Sequence, residues 1–325
     1  MKLSIYTHAA LAAVSIASGA ACAQSPAYPG KPVRIITPTA AGGSLDTSAR
    51  IVAQKLTEMW GQQVTIDNRP GAGGIVGADT AAKAAPDGYT MLFASNGNIA
   101  TTQALYKKIP YDPIRDFAPV ILVAETPYVL IVHPSLPVKT AADLIKLART
   151  KPGRIDFASS GSGSTPHLAG ELFKSMAKIN LVHVPYKGSP AAHNSVVSGE
   201  TSFELSGLPS SISQIRSGRL RALGVASAKR SSMAPEIPTI SESGLPGFEA
   251  NSWTGTLVPA ATPRAIISKI NADIVTALAQ SDVRQRMLNQ GFEVVGGTPE
   301  QLGSHLKSEI TKWTKVINDS GARAD

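Results

Sequence analysis

The sequence is almost free of cysteine, with Cys22 as the single example in 325 residues. Cys22 lies in an amino-terminal apolar segment that we expect to be removed, so the mature chain would contain no cysteine. Disulfide bonds, thiolate catalysis and cysteine-based metal sites are then excluded. Long apolar runs are also missing after this segment, so no later part of the sequence is predicted to span a membrane.

Clusters of positive charge are missing as well, although the net charge is +8 and the pI is about 9.5. The 31 lysine and arginine residues are scattered, and aromatic residues make up 5% of the chain. Nucleic-acid-binding surfaces usually combine dense basic runs with interleaved aromatic residues. We therefore expect no nucleic-acid partner. A solvated basic surface with a weak attraction for small anions is the favoured interpretation.

Residues 1–23 have the pattern of a secretory signal peptide. Lys2 precedes the apolar run 3–21, and Ala21-Cys22-Ala23 is a small-residue cleavage site. We predict cleavage near Ala23 and export of the mature chain. A membrane anchor and a lipoprotein lipidated at Cys22 are the weaker alternatives. The remaining 300 or so residues are enough for two domains with their own cores.

Short apolar strands alternate with helical patterns along two stretches of the chain. The first stretch has predicted strands at 33–36, 64–67 and 90–95. A second set follows at 128–133, 155–159, 181–185, 203–206 and 220–227. This alternation predicts an α/β fold with parallel strands and right-handed crossovers. The last helix is predicted at 298–319, with Thr298 and Gln301 as a capping box and Pro299 in the first turn.

A further strand at 253–258 favours a discontinuous first domain. We predict that residues 28–126 and 252–325 form domain 1 and that residues 127–251 form domain 2. The chain would then cross between the domains near 124–128 and 249–254, and these two crossings would form a hinge. Two consecutive domains remain the alternative.

Small-residue loops occur at three predicted strand–helix junctions, at 40–44, 70–74 and 159–164. Ligands of open α/β sheets bind at the carboxyl ends of strands, where the next helix presents free N–H groups and its positive dipole end. The loops therefore predict a site for a small anion, a carboxylate or a phosphate. Each loop taken alone could be a simple turn. The loops lack a full dinucleotide-binding glycine pattern and a Walker lysine.

Residue patterns typical of enzymes do not assemble in this sequence. There is no Gly-Xaa-Ser-Xaa-Gly motif at 159–165, and the histidines lack zinc-site spacing. Ser162 and His167 are the nearest nucleophile–base pair, without an orienting acid. We predict a binding protein that is not an enzyme and has no metal or cofactor. His167 is interpreted as a capping or packing residue or as a donor to a ligand carboxylate, and Asp46 as a helix cap or as a ligand acceptor.

The chain resembles the periplasmic solute-binding receptors of tripartite tricarboxylate transporter systems, the Bug or TctC-like family. The resemblance covers nearly all of the mature chain. Its characteristic segments, in order, are YPGKPVRIITP (28–38), AAGGSLDTSAR (40–50), VTIDNRPGAGGIVGAD (64–79), APDGYTMLFAS (85–95), GSGSTPHLAGELFK (161–174), VPYKGSPAA (184–192), SGRLRALGVASAKRS (217–231) and PTISESGLPGFEANSWTG (238–255).

The resemblance implies a type II periplasmic-binding-protein (Venus-flytrap) fold, with two α/β domains and a ligand cleft between them. It implies a periplasmic monomer that captures a small carboxylate, such as a di- or tricarboxylate, an amino acid or an aromatic acid. Backbone N–H groups and bridging waters would hold this ligand, with little part for lysine or arginine. The partner would be a membrane permease with a large and a small subunit. A sensor histidine kinase is the alternative partner, and an exported hydrolase is the alternative function.

Carried over position by position, the resemblance also implies a set of ligand-binding residues: Ala41, Gly42, Gly43, Asp46, Ser95, Asn96, Ser160, Gly161, Ser162, Ser164, Thr165, His167, Tyr186, Gly188 and Ser206. Ser206 is a departure, because family members commonly have aspartate there and asparagine at the position of Gly207. If that aspartate accepts a hydrogen bond from the ligand, we expect this chain to prefer a ligand without an ammonium group at that point.

Overall fold

The computed structural model describes residues 28–323, so the predicted signal peptide lies outside the described residues. Within this range the chain forms two mixed β-sheets flanked by helices. This is the α/β class predicted from the sequence, but the expectation of parallel sheets was wrong, because both sheets also contain antiparallel strand pairs. No helix of residues 28–323 combines the length and the apolar character that crossing a bilayer would require.

The first sheet has six strands in the order β11-β4-β10-β3-β1-β2. Its strands are β1 (Val33–Thr37), β2 (Val64–Asn68), β3 (Thr90–Ser95), β4 (Phe117–Thr126), β10 (Ser252–Pro259) and β11 (Glu293–Gly296). Strand β1 is parallel to both of its neighbours, whereas β10 is antiparallel to β3 and β4. The associated helices are α1 (Ser44–Trp60), α2 (Ile75–Ala82), α3 (Thr102–Leu105), α8 (Arg264–Ala279), α9 (Ser281–Asn289) and α10 (Pro299–Ser320). A 3₁₀ turn at Ala72–Gly74 and a π-turn at Asn96–Ala100 complete this part, called the first lobe below.

The second sheet has five strands in the order β7-β6-β8-β5-β9. They are β5 (Tyr128–Val132), β6 (Asp156–Ser159), β7 (Val182–Pro185), β8 (Phe203–Gly207) and β9 (Arg221–Val225). The helices between them are α4 (Ala141–Thr150), α5 (Thr165–Ala177), α6 (Ser189–Val197) and α7 (Leu208–Arg216). We call this part the second lobe.

The chain passes from the first sheet to the second at Pro127, between β4 and β5, and returns just before β10. Asn251 joins the two crossings, because its Nδ2 donates to Oε2 of Glu125 at 3.1 Å. Its backbone oxygen also accepts from Nδ2 of Asn96 at 3.2 Å. Hinge motion about these crossings, and the exact domain limits given above, remain predictions.

Two strands of the first sheet were not predicted. The interior of β4 is a continuous apolar run that is buried on both faces, a signal comparable to that of the predicted strand at 128–133, and it was overlooked. Strand β11 has four residues and is partly exposed, which leaves little apolar signal. By contrast, the predicted capping box of α10 is confirmed, with the Thr298 side chain accepting from the Gln301 backbone and Pro299 in the first turn.

Candidate functional site

A cavity of about 330 Å³ lies between the two lobes. The first lobe contributes residues from the start of α1 and the end of α9, and the second lobe contributes the starts of three helices. The lining residues are Ser44, Thr126, Tyr128, Pro166, Ser189, Glu204, Ser206, Gly207, Pro209, Ser210, Ser252, Gln290 and Phe292. The cavity therefore touches both lobes and both crossings of the chain.

Four helices begin at this cavity. Ser44 and Ser189 are the first residues of α1 and α6, Pro166 is in the first turn of α5, and Pro209 is in the first turn of α7. The first N–H groups of each helix have no partner within that helix, and the helix dipole makes this end positive. Among the described residues, the lining contains no lysine or arginine. The cavity can therefore attract an anion through backbone groups without a cationic side chain.

The first predicted loop adjoins this cavity but faces a second hollow. Ala41, Gly42 and Asp46 line a hollow of about 520 Å³ between α1 and α9, which shares Gln290 with the interlobe cavity. Gly43 is the N-cap of α1 and immediately precedes the cavity-lining Ser44.

Asp46 is almost fully engaged by its own lobe. Its carboxylate accepts from the Gly42 backbone N–H at 2.9 Å, from Nε of Arg50 at 2.8 Å and from Nδ2 of Asn68 at 2.9 Å. Burial opposes these bonds, yet together they hold the pKa of Asp46 below its usual range. In this structure Asp46 anchors the loop, and its role as a ligand acceptor remains a prediction.

Ser95 and Asn96 lie at the end of β3, close to the chain crossings. Ser95 forms a reciprocal capping box with Asn98. Asn96 is buried, and its Oδ1 accepts from Oγ of the cavity-lining Ser252 at 3.3 Å. These residues therefore position the wall formed by the second crossing, and direct contact with a ligand remains a prediction.

The third predicted loop, 159–164, is folded tightly before α5. Gly161 has a φ of +130°, a conformation that favours glycine. Its backbone oxygen accepts from Oγ of Ser164 at 2.6 Å, and Ser164 is in turn the N-cap of α5. Ser160 accepts from the N–H of Gly188 at 3.2 Å, which links this loop to the start of α6. Ser162 lies within the same loop. The hydrogen bond between Ser160 and Gly188, two of the predicted residues, thus holds the N-terminus of α5 beside that of α6.

His167 is held by the protein itself. Its Nδ1 accepts from the Gly163 N–H at 3.0 Å, and its ring stacks on that of His183 with the ring centroids 3.9 Å apart. Nε2 of His183 lies 2.6 Å from Oγ of Ser159. This arrangement agrees with the packing interpretation of His167. It also leaves Nδ1 of His167 engaged with Gly163, which does not favour use of this ring as the base for Ser162.

Two tyrosines approach the cavity from the second lobe. Tyr128 lines it, and burial raises the pKa of its hydroxyl to about 12, with a hydrogen bond to Thr165 acting in the opposite direction. The predicted Tyr186 instead donates its hydroxyl to Oε1 of Glu200 at 3.2 Å. Tyr128 was missed in the sequence because an aromatic residue at the start of an apolar strand resembles a core residue.

Glu204 was also missed, although it lies on the same face of β8 as the predicted Ser206. Both line the cavity, and the exposed fraction of Glu204 is 1%. Nδ1 of His193 lies 3.5 Å from Oε2 of Glu204 and 3.5 Å from Oγ of Ser206. Burial raises the pKa of Glu204, and the interaction with His193 opposes that rise. The two-residue alternation of a strand was the available signal for grouping Glu204 with Ser206.

The lobes also touch beside the cavity. Oε1 of Glu293 in β11 accepts from Oγ of Ser231 at 2.6 Å and from the Ser232 N–H at 2.7 Å. Nearby, Gly291 packs so closely on Pro209 that an added Cβ would lie 2.1 Å from the proline Cγ. The structure thus has the lobes in direct contact at the cavity edge.

Acidification is expected to weaken the second lobe through the stacked histidines. Burial lowers the pKa of His167 and of His183 to about 4, against 6.5 in an unfolded chain. Between these values the unfolded chain binds more protons, so the free energy of unfolding should fall as the pH falls from about 6.5 to 4. Urea unfolding at pH 7, 5.5 and 4.5 measures this slope. His183→Phe keeps a stacked ring that cannot take up a proton, so an unchanged slope in this variant would contradict the assignment.

Comparisons with known proteins give a consistent result. A family model described as the tripartite tricarboxylate transporter family receptor matches residues 48–322. Protein BugT of Bordetella pertussis is 36% identical over 311 residues, which cover 95% of each chain. The structure of Rpa4515 from R. palustris with adipate has 37% identity and a TM-score of 0.74, and it covers 91% of this chain and 99% of that one. MatC from Rhodopseudomonas palustris with bound malate has 32% identity and a TM-score of 0.70, with coverage of 89% and 100%. The chain therefore belongs to the family of tripartite tricarboxylate transporter receptors.

Proposed function

We propose that this protein is a periplasmic receptor that captures a small carboxylate in the interlobe cavity and delivers it to a membrane permease. Family membership supports the receptor role, and the two similar structures with adipate and malate support a carboxylate ligand. No catalytic step is part of this proposal.

The observation that carries the proposal is the convergence of four helix N-termini on one cavity that has no lysine or arginine in its described lining. A carboxylate can accept hydrogen bonds from several of these N–H groups at once. Each such charge-assisted bond contributes about 1.5–3 kcal/mol, so several of them together can hold the acid group of a ligand. A buried arginine is then not needed to hold the carboxylate.

Capture and delivery would be linked by the position of the lobes. The cavity takes groups from both lobes, so a ligand gains its full set of contacts only when the lobes are together. A ligand shifts a conformational equilibrium toward the state that it binds more tightly. Ligand binding would therefore favour the state in which the lobes are in contact. The permease would then recognise the joined surface of the two lobes.

The backbone contribution of α1 can be tested with Ser44→Pro. Ser44 is the first residue of α1 and follows Gly43, whose ψ of 167° is compatible with a proline after it. Proline is well tolerated at this helical position but has no N–H. Loss of one charge-assisted bond should weaken adipate or malate binding by about tenfold or more in isothermal titration calorimetry.

Ser281→Pro is the matched control, because Ser281 is the first residue of α9 and follows the extended Gln280. It should leave the affinity within about twofold, and both variants should keep thermal midpoints close to that of the unmodified protein. Equal affinities for Ser44→Pro and the unmodified protein would contradict the proposal that the α1 N-terminus donates a backbone hydrogen bond to the ligand. If adipate, malate and a wider panel of carboxylates all failed to bind, the receptor proposal itself would be rejected.

A further inference from the structure

The interlobe cavity is lined by a buried acid, Glu204, that takes no part in the proposed binding of the carboxylate by backbone N–H groups. Glu204 is the second residue of β8, with its Cα opposite Ile131 on one neighbouring strand and Ala158 on the other. A glutamate at such a position is costly unless its oxygens have partners. Its Oε2 is buried and has no hydrogen-bond partner in the structure.

We propose that Glu204 and Ser206 form a subsite that binds a hydroxyl group of the ligand, so that the receptor selects hydroxy-substituted carboxylates over their unsubstituted counterparts. This inference rests on the proposed function, because the helix N-termini would hold the carboxylate of the ligand. The subsite would bind a hydroxyl group on a neighbouring carbon.

The polar groups around the subsite fit a hydroxyl. Ser206 presents its Oγ on the same face as Glu204, and both line the cavity. A hydroxyl both donates and accepts, so it can satisfy the unpartnered Oε2 of Glu204 and also interact with the serine Oγ. Nδ1 of His193, at 3.5 Å from each of these oxygens, can hold the pair in place.

The charges around the subsite disfavour the other common substituents. An ammonium group would face the positive ends of four helices and would need an ionised Glu204, whereas burial raises the pKa of this side chain and favours its neutral form. A second carboxylate placed here would have its charge buried beside Glu204 without a lysine or arginine among the described lining residues. A neutral hydroxyl avoids both costs.

The test compares acids that differ by one hydroxyl. Calorimetry with malate against succinate, and with lactate against propionate, should give at least one pair in which the hydroxy acid binds about tenfold more tightly to the unmodified protein. Glu204→Met keeps the side-chain length but removes the polar atoms. It should bring the two members of that pair to within about threefold of each other.

Two further variants separate selectivity from folding. Glu204→Gln keeps a polar end and should retain part of the preference. Glu171→Met removes another buried glutamate, one paired with Lys174 on α5, and should leave the preference intact. Glu204→Met also removes the contact of Oε2 with Nδ1 of His193, so the thermal midpoint measures that loss separately from the preference. A purely structural role predicts a lower thermal midpoint with the preference unchanged.

Two results would overturn this inference while leaving the receptor role standing. One is equal binding of both members in each pair by the unmodified protein, and the other is a preference that survives in Glu204→Met. Failure of these four acids, adipate and the wider panel of carboxylates to bind would contradict the proposed function, and this inference with it.

Discussion

Replacing Glu309 with alanine is expected to lower the free energy of unfolding by about 2–5 kcal/mol. Oε2 of Glu309 accepts from the indole Nε1 of both Trp253 and Trp313, each at 2.9 Å. Both indoles are almost fully buried, and Glu309 is 4% exposed. Alanine would leave two buried N–H donors without an acceptor, and each such donor costs about 1–3 kcal/mol. Equilibrium unfolding in guanidinium chloride measures the loss.

Two controls keep this result specific. Glu309→Gln retains a side-chain oxygen and should lose less than half as much stability. Ser308→Ala changes the exposed neighbour on the same helix and should stay within about 0.5 kcal/mol of the unmodified protein. A loss below 1 kcal/mol for Glu309→Ala would mean that the two indoles find other partners.

Replacing Gly291 with alanine is expected to separate the lobes and to weaken ligand binding by tenfold or more. The new Cβ would lie 2.1 Å from Cγ of Pro209 in the opposite lobe, a distance that requires one side to move. If the contacted arrangement becomes ten times less populated, the apparent affinity falls by the same factor. Calorimetry with a carboxylate that binds the unmodified protein measures the affinity. Small-angle X-ray scattering of the variant without ligand should show a larger radius of gyration than that of the unmodified protein.

Gly296→Ala is the matched control for backbone strain. Gly291 has a φ of +81° and Gly296 a φ of +83°, so alanine pays a similar conformational cost of about 1–2 kcal/mol at either position. An added Cβ at Gly296 would meet nothing within 4 Å. Both variants should therefore lose stability, but the loss of affinity should be confined to Gly291→Ala. Equal affinities in the two variants would show that lobe contact at Pro209 does not govern binding.

The local parts of the structure were predictable because their causes lie within a few residues. The start of α10 depends on Thr298, Pro299 and Gln301, which are consecutive or one turn apart. The strand–glycine–helix junctions at 40–44 and 159–164 were predicted for the same reason, and these junctions lie beside the cavity. Strand β4 was missed although its apolar run resembles that of β5, because such a run shows burial without showing where one strand ends and the next begins.

The residues that line the cavity were harder to predict. Of the residues implied by the family resemblance, Ser206 lines the interlobe cavity, while Ala41, Gly42 and Asp46 line the neighbouring hollow. Tyr128 gave no signal, and Glu204 could be grouped with Ser206 only by strand alternation, because an isolated acid or aromatic residue in an apolar strand does not reveal which side of the sheet is open. That depends on where the helices pack.

The sequence by itself determined the α/β class, the small-residue loops before the helices and the family, since these follow from short-range patterns and ordered motifs. The tertiary structure decided which helix N-termini converge, which buried acid faces the cavity and where the lobes meet. Contacts such as Gly291 with Pro209 join residues far apart in the chain. Such contacts arise from packing of whole lobes, and no local pattern encodes them.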